Sequence, residues 1–94
     1  MKIQKFESVW DAIEETPALA ASMKARADVM IAIQKVVDGW KLTQSDAAKK
    51  LAITQPRLND LLRGRIQKFS LEALMDVAGS AGLVVKVDVK KRAA

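Results

Sequence analysis

The chain has 94 residues, half of them apolar, with no cysteine and no histidine; this leaves room for one modest core and excludes disulfides, the usual zinc sites, and Ser-His-Asp or Cys-His catalysis. No pair of groups stands out as general acid and base, no apolar run approaches the about 18 residues of a membrane span, and the N-terminus lacks a secretion signal, so a cytoplasmic protein with neither enzymatic activity nor cofactor is expected. The net charge of +5 is unevenly placed: up to residue 22, Lys2 and Lys5 face Glu7, Asp11, Glu14 and Glu15, so the basic excess lies in the rest of the chain, where it would attract a polyanion.

In chain order, Phe6, Val9, Trp10 and Ile13 come at helical spacing and predict a short amphipathic helix within residues 1–15, with Ser8 as its cap. Thr16-Pro17 reads as a second start, Thr as N-cap and Pro at the first helical position. The helix that follows is predicted to run to about Asp38, with Val29, Ile33, Val36, Val37 and Trp40 on one face and Gly39 as its stop. Thr43 then caps a short helix, Gln44 to Leu51, with Ala47, Ala48 and Leu51 turned inward. After a brief turn at Ala52-Ile53, Thr54 caps a third helix whose Pro56 sits harmlessly in the first turn; Leu58, Leu61 and Leu62 form its inner stripe, and Gly64 ends it. Ile66 and Phe69 return to the core. Ser70 opens a last helix through Leu71, Leu74, Met75 and Val77 to about Ala81, closed by Gly82. From Leu83 to Val89 the period changes to alternation, which predicts a strand with Val85, Val87 and Val89 on one face. A lone strand cannot satisfy its own backbone, so a partner is required: either residues 2–6 or the same strand of a second chain, across a dimer.

The stretch from Leu42 to Phe69 carries the functional signal. Two short helices are separated by a three-residue turn, as in a helix-turn-helix, here over residues 43–63 of a single 94-residue domain. On the second helix Gln55, Pro56, Asn59, Asp60 and Arg63 point mostly outward, with Arg57 on one flank. Gln can make two bonds to adenine and Arg two to guanine, and a carboxylate accepts from cytosine; Gln55, Arg57, Asn59 and Asp60 are therefore the expected base-reading set. Thr43, Gln44 and Thr54 at the two helix starts, with Arg63, Arg65 and Lys68 after the second helix, are the expected phosphate contacts. The partner implied is double-stranded DNA. An ordinary helical bundle with polar surfaces is the plainer alternative, and the repeated Thr-Gln start followed by clustered basic residues speaks against it. Lys49 and Lys50 read as solvated charge.

The segment LTQSDAAKKLAITQPRLNDLLRG resembles the Cro-like phage-repressor (XRE) class of helix-turn-helix domains, through Thr43-Gln44, Ala47, Ile53 and Thr54-Gln55. The resemblance implies a five-helix, lambda-repressor-like, all-α domain, here with a short C-terminal β-strand. It places the family's phosphate-clamping glutamine on Gln44 and its main base-reading glutamine on Gln55. The family often has Gly where Ala52 stands, so the turn here is expected either to take an ordinary backbone angle or to tolerate strain at Ala52. Over nearly the whole chain, FESVWDAIEETP and TQPRLNDLLRGRIQKFSLEALMDVAGSAGLVVKV are similar to HigA-type antitoxins. That likeness implies a homodimer repressing its own operon at a palindromic operator, and a RelE/HigB-like RNase toxin as partner. Phe6, Val9, Trp10 and Ile13 are then the candidate toxin-binding residues, since an acidic amphipathic segment suits a basic partner; packing on the protein's own core is the alternative for this stripe. A stand-alone regulator without a toxin remains the other functional reading.

Overall fold

The computed structural model describes residues 16–91, and in it the chain is all-α. Helix α1 spans Pro17–Trp40, α2 Gln44–Leu51, α3 Gln55–Leu62 and α4 Leu71–Ser80, with a single 3-10 turn at Ile66–Lys68 between the last two. All four helices begin as local chemistry dictates. The hydroxyls of Thr16, Thr43, Thr54 and Ser70 accept from the N–H groups of Leu19, Asp46, Arg57 and Ala73 at 3.0–3.2 Å, satisfying donors that a helix start leaves orphaned. Pro17 and Pro56 stand in first turns, where no N–H is needed.

The C-termini of α2, α3 and α4 share one solution. A residue with positive φ follows each, Ala52 (60°), Gly64 (73°) and Gly82 (82°), and the chain reverses through paired backbone bonds. After α2 these are Ala52 N–H to Lys49 C=O and Ile53 N–H to Ala48 C=O; after α3, Gly64 N–H to Leu61 C=O and Arg65 N–H to Asp60 C=O; after α4, Gly82 N–H to Gly79 C=O and Leu83 N–H to Ala78 C=O. This is the Schellman arrangement, which caps the last carbonyls and fixes the exit direction. In the turn between α2 and α3 an alanine occupies the left-handed position.

Helix α1 runs two residues further than predicted. Gly39 lies inside it, and Lys41, at φ 56°, ends it. The gain that carries the helix past a glycine is Trp40, whose ring is half-buried against the core and lies 4.4 Å beneath the Lys50 ammonium. The buried face is also rotated from the predicted one. Met23, Ala27, Met30, Ile33 and Val37 are buried, whereas Val29 and Val36 are only partly so. Helix α1 makes its broadest contact with α4 and also covers α3 and the 3-10 turn. Met30, Ile33, Leu51, Leu58, Leu61, Ile66, Phe69 and Leu74 are fully buried side chains, each stabilising the fold by about 1.5–3 kcal/mol. Ala47 and Ala48 on α2 are buried with them, and their small size lets the helices approach closely.

Two expectations are corrected. The described residues hold four α-helices, not five; the predicted helix at Phe6–Ile13 falls outside them. The predicted C-terminal strand, with Val85, Val87 and Val89 on one face, is absent: residues 83–91 form no ladder, and no strand occurs among the described residues. β-branched residues keep a backbone extended, but a strand exists only against a second one. Here the segment is fixed instead by the Leu83 N–H bond to Ala78 C=O and by Leu83 and Val85 packing against the helical core, while Val87 and Val89 stay exposed.

Candidate nucleic-acid interface

Helices α2 and α3, joined by residues 52–54, form the helix-turn-helix that the sequence predicts, and the rest of the molecule fixes how α3 is presented. Leu58 and Leu61 anchor it to the core and Leu62 is half-buried. A further tie comes from α1: Gln34 Nε2 donates to the Leu61 carbonyl at 2.8 Å, across 27 residues of sequence. That carbonyl is one of the last in α3, so a side chain of the longest helix caps the end of the reading helix. Sequence reasoning missed Gln34; its only signal was an amide on the flank of an apolar stripe, next to Ile33.

The expected DNA-facing residues divide into three groups. The first is open to solvent. Gln44 and Gln55 occupy the first positions of α2 and α3, both exposed, beside exposed Thr43 and Thr54 whose hydroxyls are engaged as caps. Pro56 is exposed next to Gln55. Because each helix start also leaves backbone N–H groups without helical partners, these two ends present donors as well as side-chain amides.

The second group is tied in pairs along α3. Asn59 Oδ1 accepts from Arg63 Nε at 3.3 Å, one helical turn on. Asp60 and Arg65 form an ion pair of 2.8 Å, with side chains only 19% and 30% exposed. Asp60 therefore serves two purposes, its carbonyl closing the α3 C-terminus and its carboxylate holding Arg65.

The third group bridges α3 to the 3-10 turn. The Arg57 guanidinium lies over the Phe69 ring, 4.0 Å from its centroid, and Arg57 Nη1 donates to the Lys68 carbonyl at 2.8 Å. Phe69 is 2% exposed, so Arg57 roofs a core residue. Lys68 itself remains exposed, its carbonyl used and its ammonium in solvent. The sequence pointed to Arg57, Lys68 and Phe69 separately, but pairing residues 57 and 69 requires the turn at 64–68, which no periodicity encodes.

Chemically, this surface offers two amides, paired N-terminal donors, and a row of guanidinium and ammonium groups beyond α3. It suits a polyanion with readable polar edges. Val85, Val87 and Val89 belong to no part of it, and Phe6, Val9, Trp10 and Ile13 lie outside the described residues. Among the described residues no helix is long and apolar enough to cross a membrane.

No curated protein matches the chain. A family model described as a helix-turn-helix domain matches residues 12–90, a span that takes in all four helices and the extended segment after them. Domains of this kind are DNA-binding, in keeping with the exposed amide and basic groups on α2 and α3. The chain belongs to the helix-turn-helix domain family.

Proposed function

We propose that this protein is a sequence-specific transcriptional repressor, acting as a homodimer on a palindromic operator, and the antitoxin of a type II toxin–antitoxin operon that it autoregulates. The observation that carries the repressor reading is the exposure of Gln55 at the first position of a helix anchored from three sides. Gln55 and Asn59 read base edges; Arg57 contributes from the flank, and Asp60 accepts from cytosine when Arg65 leaves it an oxygen. Gln44, Thr43, Thr54, Arg63, Arg65 and Lys68 hold phosphates and set the register. The antitoxin reading rests on the likeness of residues 6–17 and 54–87 to HigA-type antitoxins; Phe6, Val9, Trp10 and Ile13 then dock onto a basic RelE/HigB-like RNase.

The test is binding of the full chain to the DNA upstream of its own gene and to random duplex, at two salt concentrations. A repressor binds its operator on the order of 10³-fold or more tighter than random DNA. Gln55→Ala is expected to weaken operator binding by about 1–3 kcal/mol while leaving random DNA unchanged. Equal affinity for both duplexes overturns the repressor. Selective binding without neutralisation of a co-expressed neighbouring gene product overturns the antitoxin alone and leaves a stand-alone regulator.

A further inference from the structure

We infer that Phe69, a core residue, determines base specificity by positioning: with the Lys68 carbonyl it locks Arg57 as a preformed guanine reader. The inference rests on the repressor reading above and deepens it. A guanidinium carries five N–H donors in a planar fork and can grip a guanine through either of two edges. In the structure one side of the fork is engaged, since Nη1 donates to the Lys68 carbonyl, and one face of its plane lies against the Phe69 ring. What remains is the Nε–Nη2 edge. Neither of these nitrogens is buried without a partner; among the described residues only Arg26 Nε is in that state. The remaining edge is therefore not sealed from solvent, and it has the two parallel donors that match O6 and N7 of guanine.

The arrangement also lowers the entropy of reading. A free arginine loses most of its rotamer freedom when it grips a base, and that loss opposes binding. Here that freedom is already lost in the unbound protein, through a ring whose own position is set by the core. Position 57 is in the first turn of α3, the end that lies deepest in the major groove in proteins of this architecture. Phe69 is a positioning residue in this scheme: it touches no base and acts through Arg57.

The experiment selects bound duplexes from a pool randomised over about 20 base pairs, with the full wild-type chain, Arg57→Lys and Phe69→Leu. Lysine can keep the charge, the contact with the ring and one bond to the carbonyl, but has no bidentate edge. It is expected to flatten the preference for one G·C pair by about five- to a hundredfold, with the salt slope of binding unchanged. Phe69→Leu keeps the guanidinium and removes the ring, and is expected to flatten the same pair and no other. Melting of each variant confirms that it is folded at the assay temperature. Should Phe69→Leu not fold, side-chain NMR of the wild-type protein decides: a locked Arg57 shows ring-current-shifted δ protons and slowed Nε–H exchange, whereas rotamer-averaged shifts overturn the inference. Flattening by Arg57→Lys but not by a folded Phe69→Leu overturns the positioning role and leaves Arg57 as a reader. No change from Arg57→Lys, with selectivity still lost in Gln55→Ala, makes Arg57 a mere strut and leaves the repressor standing. A wild-type chain that selects nothing overturns both.

Discussion

At the scale of single residues, the most informative is Ala52. It sits at φ 60°, in a left-handed position where a Cβ crowds the following carbonyl and costs about 1–2 kcal/mol. Nothing else in the turn requires an alanine side chain: the residue is exposed, and its backbone bond to Lys49 does not depend on it. Ala52→Gly relieves the strain but gives the unfolded chain more freedom, worth about 0.4–1 kcal/mol in the opposite sense. The net expectation is a gain of about 0.5–1 kcal/mol, or a few degrees in melting temperature for a chain of this size. Thermal and urea unfolding check it; a loss of stability would mean that the strained turn is offset by contacts the alanine methyl makes. Gly64 and Gly82 hold the equivalent positions after α3 and α4, and there the sequence already supplies the residue the backbone needs.

At the scale of elements, much was legible because it is local. A capping hydroxyl sees only the next three residues, so Thr16, Thr43, Thr54 and Ser70 mark four helix starts without knowledge of the fold. The inner stripe of α3 was likewise readable from Leu58 and Leu61. What escaped was decided elsewhere in the molecule. Helix α1 carries apolar residues on more than one face, so its sequence fits several rotations, and contact with α4 selects the one that buries Met23, Ala27 and Met30. The alternation from Val85 to Val89 was real, but alternation specifies an extended chain and not the neighbour that makes it a strand. The site was half legible: Gln44 and Gln55 stood out by position, while the stacking of Arg57, the pairing of Asp60 with Arg65 and the reach of Gln34 needed the tertiary structure. Gln34 makes the dependence of α3 on α1 testable. Gln34→Ala removes one part-buried bond to the Leu61 carbonyl and leaves α3 otherwise intact. The expected cost is about 1 kcal/mol of stability. Amide exchange should rise in residues 61–65, since the carbonyl that terminates α3 then has one donor fewer; uniform exchange across all helices would show that the bond acts on global stability alone.

For the whole molecule, the decisive quantity is how much DNA one copy can read. Helix α3 has eight residues, and a reading helix of that length would reach only a few base pairs from the major groove. A few base pairs at about 1–3 kcal/mol each cannot separate one operator from a genome of competing sites. Two copies on a two-fold palindrome double the readout, and the groove presents the same face again after about 34 Å, one helical turn. The net charge of +5 adds attraction to any duplex and no discrimination, so in the proposed homodimer the added selectivity would come from the second copy of α3. The expectation is two chains per operator by native mass spectrometry, with half-sites centred about 10 base pairs, or a multiple, apart. Inserting about 5 base pairs between them turns one half-site to the opposite side of the duplex, and binding should fall towards that of an isolated half-site. Inserting about 10 restores the facing but lengthens the span by a full turn. Recovery then measures how much play the two copies have against each other, and no recovery marks a dimer held at one fixed spacing. Equal affinity for all three spacings would mean that each chain binds alone, and the sequence selectivity would have to reside in a single α3.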